Sequence, residues 1–156
     1  MIFVITGTQL PFDRLIRMLD ELAPLFNEEI VAQVNSSTYL PQHINTIDLL
    51  QPDEFDQLFK KARLIVAHAG MGTILSALST DKPLIVFPRI AALGEHRNEH
   101  QLATAEKMKT LGYCYVAKDK DELKSLLLSN NLHPLCSIGD YASASLVQSI
   151  TEFIKG

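Results

Sequence analysis

Two glycines interrupt an apolar run at Val66-Ala67-His68-Ala69-Gly70-Met71-Gly72-Thr73, and Ile74-Leu75-Ser76-Ala77-Leu78 resumes with helical spacing. A strand that breaks at glycine and restarts as a helix is a way to build an anion site. Glycine lets the chain turn sharply and approach a ligand, and the helix start offers unpaired N–H groups and the positive end of its dipole. A phosphorylated ligand is the expectation, against the plainer reading of a tight connection with no ligand. His68 stands at the strand end, as a ligand contact or as a satisfied, half-buried imidazole.

Three further segments carry residue types suited to the same chemistry. Gly7-Thr8-Gln9-Leu10-Pro11-Phe12-Asp13 offers a glycine and a hydroxyl to a phosphate, or is a turn with Thr8 or Asp13 as a helix cap. The stretch from Arg89 through Glu95, His96, Arg97, Asn98, Glu99 and His100 to Gln101 follows a wholly apolar run and is too polar for a core. Asn98, His100 and Gln101 suit sugar hydroxyls, and Arg89 and Arg97 suit a phosphate or a carboxylate. Its plainer reading is a solvated loop capped by Asn98. Ile47-Asp48-Leu49-Leu50-Gln51 is a candidate for holding a nucleobase through backbone hydrogen bonds. His96 and His100 are four residues apart but lack a third ligand, so a metal is not expected.

The elements that must position these segments alternate short apolar runs with longer amphipathic ones. Strands are expected at 2–6, 29–34, 44–47, 63–67, 83–88 and 113–117, and helices at 12–25, 53–62, 72–79, 98–111, 119–129 and 141–154. In the first helix Leu15, Ile16, Leu19, Leu22 and Ala23 form the buried stripe, with Asp20 and Glu21 outside it. This order predicts an α/β fold, a parallel sheet with helices on both faces, in one domain over 1–156. Ligands in such sheets bind beyond the carboxyl ends of the strands, where all four segments lie.

The 156 residues are 47% hydrophobic and 21% charged, with a net charge of −4, which gives no general attraction to nucleic acid or anionic lipid. No apolar run approaches the roughly 20 residues that cross a bilayer, and the first residues lack a signal-peptide pattern, so a cytoplasmic chain is expected. Cys114 and Cys136 are isolated and read as structural. A dinucleotide fingerprint would need three spaced glycines after the first strand, where Gly7 is alone, so an oxidoreductase is the weaker reading.

Together Gly7-Thr8-Gln9, Phe12-Asp13-Arg14-Leu15-Ile16, His68-Ala69-Gly70-Met71-Gly72-Thr73, Lys82-Pro83-Leu84-Ile85-Val86 and Asn98-Glu99-His100-Gln101 resemble the C-terminal, donor-binding domain of family 28 glycosyltransferases. The resemblance covers nearly the whole chain. It is strongest to the small cytosolic subunits of two-part UDP-sugar transferases: the dolichol-linked N-acetylglucosaminyltransferase and bacterial exopolysaccharide types.

The resemblance implies a Rossmann-like domain, the donor half of a GT-B fold, holding a UDP-sugar without metal or other cofactor. The diphosphate would lie near Gly7, Thr8 and the turn of Gly70, Met71, Gly72 and Thr73. Ile47 and Asp48 would face uracil, and His100 and Gln101 the sugar. Relatives place a ribose-binding glutamate seven residues before the proline of the next strand. Ser76 stands there in this chain, and one hydroxyl cannot chelate a diol as a carboxylate does.

A GT-B enzyme closes two domains around its substrates, so the acceptor half is expected on a partner. By the resemblance that partner is a membrane-anchored subunit that carries a lipid-linked sugar acceptor and recruits this chain to the inner face of the membrane. The implied activity is an inverting UDP-sugar transfer to a polyprenyl-diphosphate-linked acceptor in cell-surface polysaccharide synthesis. N-acetylglucosamine, galactose, glucose and, if Arg89 and Arg97 face the sugar, glucuronic acid are the candidate donors. No catalytic base is assigned, although Glu95 or His96 would serve if the acceptor reached their loop. The alternative is a non-enzymatic nucleotide-sugar-binding or scaffolding module. The helix over 141–154, with Tyr141, Leu146, Ile150, Phe153 and Ile154, is expected to dock on the core or meet the partner, and the isolated chain to self-associate through that surface.

Overall fold

The computed structural model describes residues 1–136 together with Gln148 and Glu152; apart from those two residues the expected last helix over 141–154 lies outside the described residues. Six parallel strands form one sheet in the order β3-β2-β1-β4-β5-β6. They are β1 (Ile2–Ile5), β2 (Ile30–Gln33), β3 (Asn45–Ile47), β4 (Leu64–Ala67), β5 (Leu84–Val86) and β6 (Tyr115–Val116). The helices are α1 (Asp13–Leu22), α2 (Pro52–Lys61), α3 (Met71–Ser79), α4 (His100–Thr110) and α5 (Lys120–Leu128). The expected α/β architecture is the one observed.

Every residue of β1, β2, β4 and β5 is buried, as continuous apolar runs covered on both faces require. Successive side chains point to opposite faces. Ile2 and Val4 join Leu15, Ile16 and Leu19 of α1 and Leu123 and Leu127 of α5 on one side. Phe3 and Ile5 join Phe59 of α2, Ile74 and Leu78 of α3, and Met108 of α4 on the other. Phe3 meets Phe55 and Phe59 edge-on, with ring centroids 5.4 and 6.5 Å away. Pro24 ends α1 as expected, in a short 3-10 turn over Ala23–Leu25.

Asp20 corrects the expected stripe: it is 3% exposed on the buried side of α1. Its carboxylate accepts from Tyr39 Oη at 2.7 Å, Gln42 N at 3.0 Å and His43 N at 2.6 Å. Burial works to raise its pKa, but those three donors together hold the carboxyl below the usual carboxylate value. Asp13 is no cap either. It accepts from Ser37 Oγ at 2.7 Å and from the Thr38 hydroxyl, so two carboxylates of α1 anchor the chain between β2 and β3. No helix among the described residues is long and apolar enough to cross a membrane.

The strand order reverses direction of travel between β1 and β4, and the connections that leave these two neighbours diverge to opposite faces. Such a point opens a crevice at the carboxyl edge of the sheet. The turns after β1 and β4, which hold Gly7 and Gly70, are the two that flank it.

Candidate functional site

A cleft of about 730 Å³ occupies that crevice. One wall is the turn after β1, where Gly7 takes φ +86°, a backbone angle that glycine adopts without strain. The floor is the turn after β4 and the start of α3. Gly70 N donates to His68 O at 2.8 Å, and the first helical bond runs from Ile74 N to Gly70 O at 3.1 Å. The N–H groups of Met71, Gly72 and Thr73 therefore have no helical acceptor and stand at the positive end of the dipole.

Ten of the fourteen sequence candidates line this cleft: Gly7, Thr8, Gln9, His68, Gly70, Gly72, Thr73, Arg89, His100 and Gln101. Four do not. Met71 turns its side chain to the core beside α3, leaving only its N–H at the cleft floor. Ile47 packs against the same core, and its carbonyl accepts from Val34 N at 2.8 Å within the sheet. Arg97 and Asn98 are exposed outside the cleft, and Asn98 Oδ1 accepts from His100 N at 3.0 Å as a local cap. From the fourth segment Leu50 alone reaches the cleft, joined by Pro52, Phe55 and Asp56 of α2. No sequence signal marked these α2 residues, whose periodicity is that of an ordinary amphipathic helix.

Arg89 lines the cleft with both terminal nitrogens already committed. It is 3% exposed, and its guanidinium donates to four carbonyls: Pro11 at 2.9 Å, Glu95 at 3.0 Å, Leu10 at 2.7 Å, and Thr6. Its cationic carbon stands 4.6 Å from the centre of the Phe12 ring. The expected phosphate or sugar-carboxylate ligand is thus a staple that fixes the turn after β1 to the loop before α4. Glu95 is equally engaged. Arg14 holds it through Nε at 2.6 Å and a second nitrogen at 2.9 Å, and Ile90 N donates to it at 2.8 Å. A carboxylate so held is not a free general base.

His68 is the one cleft residue with a strongly displaced pKa, pushed down to about 4 by burial and, to a lesser degree, by the charges of Arg89 and His96. Its imidazole is neutral at physiological pH. Gln101 Nε2 lies 3.0 Å from Nδ1. Gln101 itself is buried, and its Oε1 accepts from Ala69 N at 3.2 Å and Arg89 N at 3.0 Å. Ser76, on α3, reaches the cleft, with its hydroxyl donated to Gly72 O at 3.0 Å. The Asp56 carboxylate makes no hydrogen bond or ion pair with any described residue.

Asp119 and Asp121 have an Asp-x-Asp spacing. They lie outside the cleft, and Asp119 caps α5 by accepting from Glu122 N at 2.8 Å. Cys114 is buried beside β6, and burial pushes its thiol up to about 12, in keeping with a structural residue.

Residues 1–152 match the glycosyltransferase family 28 C-terminal domain. The human UDP-N-acetylglucosamine transferase subunit ALG13 is 28% identical over 125 residues, 73% of this chain and 11% of that protein. The Eremothecium gossypii subunit of the same name is 36% identical over 93 residues, 57% of this chain and 44% of that protein. The chain thus spans less than half the length of either relative. An NMR solution structure of ALG13 superposes with a TM-score of 0.62 at 19% identity, covering 96% of this chain and 93% of that one, a likeness of fold.

Proposed function

The chain belongs to the glycosyltransferase family 28 C-terminal domain family, and from that premise we propose that it is the donor-binding half of a UDP-sugar glycosyltransferase. The observation that carries this reading is the cleft floor: two glycine turns and the N–H groups of Met71, Gly72 and Thr73 converge at one helix start. That arrangement suits a diphosphate, which gains charge as it leaves the sugar during transfer. UDP-N-acetylglucosamine is the favoured donor, because two relatives are named as transferase subunits for it. The terminal nitrogens of Arg89 are committed to carbonyls and Arg97 stands outside the cleft, which disfavours an acidic donor.

The nucleoside end falls to Leu50, Pro52 and Phe55, which supply an apolar wall, and to Asp56 and Ser76. Asp56 is the cleft carboxylate without an internal partner, and two acceptor oxygens suit a ribose diol. It takes the part that Ser76 is too short and too weak an acceptor to fill. The acceptor site, a polyprenyl-diphosphate-linked sugar, and the membrane-anchored subunit that presents it complete the proposal, with the chain peripheral at the inner membrane face and inversion at the transferred carbon.

Co-expression with a membrane-anchored acceptor-domain protein, followed by incubation with UDP-N-acetylglucosamine and a lipid-linked sugar, tests this. Transfer with an inverted anomeric configuration is the expected result. A stable complex that transfers from no UDP-sugar would instead identify a scaffolding module.

A further inference from the structure

We propose that Gln101 is a positioning residue that fixes the tautomer of His68 and so gives the anion end of the cleft a neutral hydrogen-bond donor. Gln101 Oε1 accepts from two backbone N–H groups, Ala69 at 3.2 Å and Arg89 at 3.0 Å, and an amide nitrogen cannot replace it there. The NH₂ group must therefore face His68 Nδ1 at 3.0 Å. That nitrogen has to accept, so in the neutral ring the proton sits on Nε2.

Nε2 has no partner among the described residues, and no buried side-chain nitrogen or oxygen among them lacks one. It is therefore open to the cleft. The two glycine turns clasp it: a Cβ on Gly7 would stand 2.8 Å from Nε2 and one on Gly70 2.5 Å. The two groups whose charge acts on the ring disfavour a second proton, and the other neighbours bring no charge. Arg89 and His96 come from the loop after β5, the turns holding Gly7 and Gly70 bring no charge, and Gln101 of α4 is neutral. One N–H of Gln101 makes no bond to a described residue and stays open to the sugar contact that the resemblance assigned to it, so the action on His68 adds to that role.

Gln101→Glu separates this from a merely structural role, because the carboxylate keeps shape and both backbone acceptor bonds. Its second oxygen would face Nδ1 and draw the proton there. Long-range proton–nitrogen NMR correlations of the His68 ring in the labelled full chain read the result. The wild type is expected to carry its proton on Nε2, unchanged from pH 8 to 5.5, and the variant on Nδ1. A wild-type ring protonated at Nδ1 or titrating near 6.5, or a variant with an unchanged tautomer, overturns the proposal.

The consequence for binding rests on the reading of the cleft as a diphosphate site. With UDP as probe, Gln101→Glu is expected to bind about 10-fold more weakly than wild type at pH 8, where bare Nε2 repels an oxyanion. The deficit should shrink toward pH 5.5 as the ring gains its second proton. A deficit that is the same at every pH overturns the link from tautomer to ligand. A wild type with Nε2–H that binds no UDP would uphold the lock and refute the diphosphate reading instead.

Discussion

Gly70 and His68 are packed so closely that a single methyl between them has no room: a Cβ on Gly70 would stand 2.5 Å from His68 Nε2. Swinging the ring away would break its hydrogen bond to Gln101. Gly72, two residues on, has open space where its Cβ would be, and that space is the cleft.

These neighbouring glycines therefore answer differently to the same substitution. Gly70→Ala is expected to destabilise the fold by about 1–3 kcal/mol through overpacking and to displace His68. Gly72→Ala, inside a helix, is expected to leave stability unchanged or raise it by up to about 1 kcal/mol, yet to weaken UDP binding by crowding the ligand. Urea unfolding and UDP titration of both variants check this. Unimpaired UDP binding by Gly72→Ala would place the ligand elsewhere.

His68 also makes stability fall in mild acid. Its folded pKa of about 4 lies below the 6.5 of a free imidazole, so between these values the unfolded chain binds a proton that the native one refuses. The native state is unaffected above pH 6.5 and loses up to about 3 kcal/mol as pH falls toward 4. Unfolding free energies of wild type and His68→Gln from pH 7.5 to 4.5 should converge on acidification. Parallel curves would contradict the assignment.

Arg89→Lys should behave as a structural lesion. One ammonium cannot reach Thr6, Leu10, Pro11 and Glu95 together, and the carbonyls left unmet cost about 2–3 kcal/mol. Chemical denaturation reads the loss. A change below about 0.5 kcal/mol would mean that the guanidinium is not the staple described.

The strands, the glycine turns and their order were legible because each rests on local pattern: four-residue apolar runs, and glycines where a run must turn. Asp20, Arg89 and Gln101 were not. Periodicity reads a carboxylate as solvent-facing, and only the chain of 39–43 folding back supplies the donors that bury Asp20. Arg89 looked like an anion ligand because three of its four acceptors, Thr6, Leu10 and Pro11, lie in the turn after β1, far from it in sequence. Asp56 was passed over because an exposed acid on an amphipathic helix is ordinary until the cleft is seen beside it.

Asp56→Asn is expected to weaken UDP binding about 10-fold and to reduce the preference for UDP over its 2′-deoxy analogue, with no change in stability at this exposed position. Competition binding of the two nucleotides measures it. An unchanged ribose preference would remove Asp56 from the nucleoside end.

The cleft between the β1 and β4 turns is the proposed seat of a UDP-sugar's diphosphate. Titration of the isotope-labelled chain with UDP, and separately with uridine, tests it most directly. UDP is expected to bind far more tightly and to shift the backbone amides of Gly7, Gly70, Met71, Gly72 and Thr73 most. Equal affinity for uridine, or shifts centred away from those two turns, would contradict the account.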